Sequence, residues 1–239
     1  MSQSVYRKRL TGGLLTAAAS VAAAVAASPA QAAPGGFPFS DFSLNGSASF
    51  VSASDSPSSV LRLTGGGYRQ AGSAWGAEQI DLTRSFETSF GVHLRGNAPG
   101  ADGVAFLVQA AGPRALGGWG GGLGYRGIHE SVAVELDDFR NPGDADASHA
   151  GVVLRGNPDY HLAAAPTGTP LFGTPVWVRV TYDAGTHNLA VHVGRRQLIS
   201  TTVDLAAQVG ADMAWAGFTG STGSTSSTQE ILDWNLSVS

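Results

Sequence analysis

Cysteine is absent from the 239 residues, which excludes disulfide staples, thiol nucleophiles and thiolate metal sites together. Lysine is nearly absent too: its single copy is Lys8, and the arginines beyond residue 32 are dispersed. Without a basic stripe, the chain lacks the charge pattern that a phosphate backbone requires, so nucleic acid is an unsuitable partner. Charged residues make up only 13% of the chain and glycines number 33, a composition that disfavours long helices. Beyond residue 32 no apolar run is long enough to cross a bilayer.

The first 32 residues read as a secretory signal peptide. Arg7, Lys8 and Arg9 precede an Ala/Leu/Val-rich stretch that ends at Ala30-Gln31-Ala32, a small-x-small cleavage pattern. Ser20, Ser28 and Pro29 interrupt the apolar run, which argues against a retained membrane anchor. Cleavage after Ala32 leaves one domain, 33–239, that is secreted, periplasmic or extracellular. It carries 18 acidic residues against 11 basic ones, a formal charge of −7. Core packing and bound ions must do for this domain what disulfides do for many exported ones.

Short apolar segments recur between clusters of Gly, Ser, Asn and Pro, at 60–63, 86–94, 103–108, 132–137, 152–154, 176–182, 189–193 and 231–238. These are strand lengths, and their number predicts an all-β sandwich. Val178, Val180 and Tyr182 alternate with Trp177, Arg179 and Thr181, and His187-Asn188 suits the turn of a hairpin. Only 205–209 suggests a helical turn. The Ser/Thr-rich stretch 221–228 lies between two strand-like segments and reads as an ordered binding loop.

The densest chemistry lies in Glu135-Leu-Asp137-Asp-Phe139-Arg-Asn141-Pro-Gly-Asp144 and in His149. Alternation places Val132, Val134 and Leu136 on one strand face and Glu135 and Asp137 on the other. Residues two apart on a strand are roughly 7 Å apart at the backbone, and two carboxylates there repel unless cations lie between them. The turn formers from Asp138 to Ser148 predict a loop. A returning strand from His149 to Leu154 then brings the imidazole beside both carboxylates. Calcium prefers oxygens, which Asp137, the Phe139 carbonyl, Asn141 and Asp144 can supply, whereas imidazole favours a transition ion. Glu135 and His149 complete that second site, with Asp137 and Asp144 bridging the two ions. Taken alone, the spacing suits a solvated surface turn equally well.

The segment VAVELDDFRNPGDADASHAGV resembles the metal-binding segment of the legume-type (L-type) lectins, and every ligand position of that pattern is matched. Ala101-Asp102-Gly103 is similar to the family's ADG loop, 120–124 to its GG-x-LG loop, 216–223 to its GFSASTG turn, 231–236 to its closing strand and 37–45 to its opening strand. The resemblance therefore covers roughly 37–239 in the family's own order. It implies a concanavalin A-like jelly-roll sandwich of antiparallel sheets, binding glycans or glycoconjugates, with Ca2+ and a transition metal, Mn2+ by preference.

The resemblance also implies roles. Asp102 is the carboxylate that accepts hydrogen bonds from a sugar, Asn141 donates its side-chain amide, Gly121 donates a backbone N–H, and Phe139 stacks on the ring. Ser224 and Thr225 face the sugar, and the bond between Ala101 and Asp102 is cis. Metal ligands are Glu135, Asp137, Phe139, Asn141, Asp144 and His149, and calcium orders the loop without touching the sugar. Departures are Asp138 in place of Thr or Ser, Ala145 where plant members often carry Pro, and a short final loop from Gly223 to Glu230, which leaves sugar specificity open. His93, His129, His161, His187 and His192 receive no role.

Two other functions compete. Glycoside hydrolases on the same jelly roll present Glu-x-Asp-x-x-Glu on a strand, but here the last position is Arg140, which cannot act as a carboxylic acid. A surface or matrix protein that keeps the sandwich as a scaffold, binding no sugar, is the second. The glycine-rich stretch 118–124 is not followed by Gly-Lys-Ser/Thr and lacks the Rossmann spacing, which argues against a nucleotide-binding loop. A homo-oligomer through edge strands or sheet backs is possible from the resemblance.

Overall fold

The computed structural model describes residues 37–38, 40–52, 59–96, 100–142, 144 and 146–239. The expected signal peptide, 1–32, lies outside the described residues. Two seven-stranded antiparallel sheets build the domain, with strands numbered along the chain. The first sheet runs in the order β1 (Phe42–Gly46), β4 (Ala71–Asp81), β13 (Met213–Ser221), β6 (Gly103–Gln109), β7 (Ser131–Asp137), β8 (His149–Leu154) and β9 (His161–Pro166). The second runs β12 (Arg196–Thr202), β11 (Asn188–Val193), β10 (Val176–Asp183), β5 (Phe86–Arg95), β14 (Thr228–Val238), β3 (Ser59–Gly65) and β2 (Ser49–Ser52). The all-β antiparallel sandwich is as expected.

Period-2 patterning decides what each face does. On β10, Val178, Val180 and Tyr182 are buried while Trp177 and Arg179 are exposed. Val104 and Phe106 of β6, Val132, Val134 and Leu136 of β7, and Phe90 and Val92 of β5 meet in one core between the sheets. At its centre, the Phe218 ring lies edge-on to Phe90 and to Trp234, each at a centroid distance of 4.9 Å. Such edge-to-face pairs add to the area they remove from water.

Strand β7 is buried on both faces. Its second face meets a smaller cluster that includes Leu107, Leu123, Tyr125 and Ala133, so Glu135 and Asp137 project into an enclosed polar space and not into bulk water. That position allows them to be held rigidly.

Several local expectations need correction. Residues 216–221, expected as part of a turn, are the end of β13, and the chain turns only after Ser221. Asn188 opens β11, so the hairpin turn is 184–187, with His187 at a left-handed φ of 53°. Strands β4, β9 and β12 had no apolar period to announce them. The helical turn expected at 205–209, by contrast, is present as the short helix α1 (Leu205–Val209), whose Asp204 side chain accepts from the Ala207 N–H and whose chain exits through Gly210 at a φ of 78°.

Candidate functional site

The β7–β8 register puts Asp137 directly opposite His149 and Glu135 opposite Gly151. The returning strand thus delivers the imidazole where the sequence places it. His149 Nε2 lies 3.5 Å from Glu135 Oε1 and 4.0 Å from Asp144 Oδ1. Glu135, Asp137 and His149 are all buried. Two sets of side chains converge closely enough to share a cation: Asp137, Asp144 and His149, and Glu135, His149 and His161, each set with its ligand atoms within 4.8 Å of one another.

Charge explains why these groups fit a divalent ion. Burial, with the charges of Glu135, Asp144 and Asp102 around it, drives the Asp137 carboxyl well above its ordinary range. Burial also raises Glu135, but His149, His161 and Tyr125 outweigh it and leave that carboxyl below its usual value. His149 Nδ1 lies 3.1 Å from the Asp146 carbonyl; a carbonyl only accepts, so Nδ1 donates, and in the neutral ring it is Nε2 that carries the lone pair. That Nε2 is buried without a hydrogen-bond partner and faces the carboxylates. A buried lone pair among buried acids suits a metal ion.

The loop after β7 folds over this cluster. The Phe139 N–H donates to Asp137 Oδ1 at 2.7 Å, the Asn141 N–H to Asp144 Oδ2 at 2.6 Å, and Asn141 Nδ2 to the Phe139 carbonyl at 3.4 Å. The four expected oxygen donors are therefore brought together. Asp138 anchors the loop: its N–H donates to the Asp102 carbonyl at 2.9 Å, and its carboxylate accepts from the Ser148 hydroxyl.

Asp102 immediately precedes β6 and follows a cis bond to Ala101. The Ala101 carbonyl accepts from Ser227 Oγ at 2.8 Å, and the Asp102 N–H donates to the Ser221 carbonyl at 3.0 Å. Burial pushes the Asp102 carboxyl up to about 6, and its Oδ2 is buried without a partner. The glycine-rich loop closes beside it, where Gly120–Gly122 form one 3₁₀ turn, with the Gly120 N–H donating to the Thr222 carbonyl at 3.0 Å. A Cβ on Gly223 would lie 3.1 Å from Asp102 Oδ2 and 3.3 Å from the Gly120 Cα, and one on Gly121 would lie 3.1 Å from Asn141 Oδ1. Asp102, Gly121 and Asn141 thus share one locality, to which the C-terminal turn contributes Gly223. Phe139 is half-buried, Ser224 is exposed and Thr225 is half-buried.

Four participants were not expected from the sequence: His161, Tyr125, Arg126 and Asp159. His161 donates through Nε2 to Glu135 Oε1, and the Tyr125 hydroxyl donates to Glu135 Oε2. Arg126 holds Asp159 through two contacts of 2.7 Å on the wall of a cleft of about 280 Å³ that Gly121, Asn141 and His161 also line. The Asn157-Pro158-Asp159 turn after β8 was the available signal, since it sends the chain back along β8 and brings His161 opposite Val153.

A two-sheet antiparallel sandwich whose first sheet carries an acid-and-imidazole loop, a cis Ala-Asp pair and a glycine-rich turn at one locality has the build of a lectin sandwich. Residues 38–232 match the legume lectin beta-barrel domain, and the chain belongs to that family. It is 33% identical over 178 residues to the basic agglutinin of Psophocarpus tetragonolobus, covering 65% of this chain and 69% of the relative. Its fold superposes on a crystal structure of basic winged bean lectin with Tn-antigen at a TM-score of 0.73 and 26% identity, covering 85% of this chain and 95% of that one. It is also 26% identical over 226 residues to a putative L-type lectin-domain containing receptor kinase, I.10, of Arabidopsis thaliana. That match takes in 82% of this chain and only 36% of the kinase.

Proposed function

We propose that the protein is an exported, non-enzymatic lectin that binds the sugars of glycans or glycoconjugates at Asp102, Gly121, Asn141 and Phe139, with Ser224 and Thr225 on the rim. The observation that carries this reading is Asp102 Oδ2, a buried carboxylate oxygen with no hydrogen-bond partner, set against Gly223 and the glycine-rich turn. A sugar hydroxyl pair offers the donors that such an oxygen lacks. Gly121 donates its backbone N–H to the sugar, the Asn141 amide donates a second hydrogen bond, and the Phe139 ring takes the apolar face.

The residues that hold metal on this reading are Asp137, the Phe139 carbonyl, Asn141 and Asp144 for Ca2+, and Glu135, Asp137, Asp144 and His149 for a transition ion such as Mn2+. Bound ions supply coordination that fixes the loop after β7. Phe139 and Asn141 belong to both the metal set and the sugar set, so ordering the loop and forming the sugar site are one event. Hydrolysis is disfavoured because Arg140, an exposed base, stands where a catalytic carboxyl is needed. Export through a signal peptide of residues 1–32 puts the domain 33–239 outside the cytoplasm, where glycans are displayed. Among the described residues no helix is long and apolar enough to cross a membrane.

A glycan array probed with the purified protein, first with calcium and manganese and then with a chelator, tests this function. Binding to a defined sugar class that disappears with the chelator is expected. Silence under both conditions would support the scaffold alternative.

A further inference from the structure

Building on the two-metal reading, we propose that His161 is a direct ligand of the transition-metal site, which then holds its ion through two imidazoles and selects zinc-class ions over manganese. The two imidazoles converge on one oxygen. His161 Nε2 is hydrogen-bonded to Glu135 Oε1, and His149 Nε2 lies 3.5 Å from the same atom. The rings stand edge to face with centroids 5.3 Å apart, so both nitrogens point inward without the rings competing for space. His149 turns its Nε2 there because its other nitrogen is held by the Asp146 carbonyl, 3.1 Å away.

The backbone makes room for this approach. A Cβ on Gly151, the β8 residue between the two histidines, would lie 2.6 Å from His161 Cδ2 and 2.8 Å from Glu135 Oε1. Any side chain at 151 would separate the second imidazole from the carboxylate. The remaining oxygen of Glu135 is taken by the Tyr125 hydroxyl, which orients the carboxylate toward the histidines.

Ion selection follows from ligand type. A mainly carboxylate site tolerates manganese, whereas each imidazole added moves preference toward ions later in the divalent series, where zinc binds more tightly than manganese. Removing His161 returns the site to a one-imidazole set and narrows that gap.

The test has two arms on the full chain. Metal-free protein loaded with calcium plus equimolar Mn2+ and Zn2+ is assayed for bound metal by mass spectrometry, beside His161→Ser. Electron spin-echo measurements on the manganese-loaded unaltered protein count imidazole nitrogens at the ion. Two imidazoles, and a Zn-to-Mn ratio that falls about tenfold in His161→Ser with calcium content unchanged, are expected. One imidazole, or an unchanged ratio, overturns the proposal and leaves the two-metal reading intact. Failure of the unaltered protein to take up any transition ion overturns both. Should His161→Ser not fold, the count on the unaltered protein still decides.

Discussion

Asp137 and His149 face each other across the β7–β8 ladder, and the loop between them carries two residues assigned to the sugar site. Both ends of the loop are thereby tied to one ladder rung, and what happens between depends on how the buried acids are compensated. Asp144 is the loop's own contribution to that acidic cluster, while Asp102 comes from the residue just before β6.

The roles of Asp102 and Asp144 should therefore separate. Asp102→Ala is expected to abolish sugar binding while metal content, measured by mass spectrometry, stays at the unaltered level. Asp144→Ala should lose both metal and sugar binding and lower the melting temperature. Equal metal loss in the two variants would contradict the division.

Metal removal should itself destabilise the fold, because ions that bind only the folded chain add about 2.7 kcal/mol when present at a hundredfold excess over their dissociation constant. Thermal unfolding followed by circular dichroism with and without chelator checks this, and superimposed curves would count against bound ions.

Acid sensitivity is expected from the second sheet. Glu230 on β14 accepts from Arg62 at 2.8 and 3.0 Å and from Arg95 at 3.0 Å. Burial works to raise its carboxyl, but the two guanidiniums prevail and hold it below its ordinary value. A folded-state value below the unfolded one means the stabilisation is complete above the unfolded value, about 4.3, and is lost as pH falls through the folded value. Urea unfolding between pH 7 and 3 should show Glu230→Gln less stable at neutral pH and less steeply dependent on acid than the unaltered protein.

Backbone approach at the site gives a further prediction. A Cβ at Gly103 would lie 2.3 Å from the Leu136 carbonyl and 2.9 Å from the Asp137 Cα, whereas one at Gly65 meets nothing within 4 Å. Gly103→Ala should cost about 1–3 kcal/mol by overpacking and weaken metal binding by moving Asp137. Gly65→Ala should stay within about 0.5 kcal/mol. Denaturant midpoints and metal titrations of the two variants decide it.

Legibility in the sequence followed hydrophobic contrast. Strands such as β7 and β10 alternate large apolar residues with others, so their faces can be read directly, and Glu135 with Asp137 fell on the correct side. Strand β4 is built from Ala, Gly and Ser around one Trp, and β9 reads His-Leu-Ala-Ala-Ala-Pro; neither offers a period. Missing β9 meant missing His161, since a histidine has no evident partner until its strand is paired. The stretch 137–144 was legible because its candidate ligands lie close together in the sequence, whereas Tyr125, Arg126 and Asp159 meet the site only through tertiary contacts.

Ordering by metal and formation of the sugar site should be one and the same event. Calorimetric titration of a glycan selected on the array into native, chelated and remetallated protein measures it most directly. Binding is expected to be lost on chelation and to return when calcium and the transition ion are restored. Equal affinity in the native and chelated protein would contradict it.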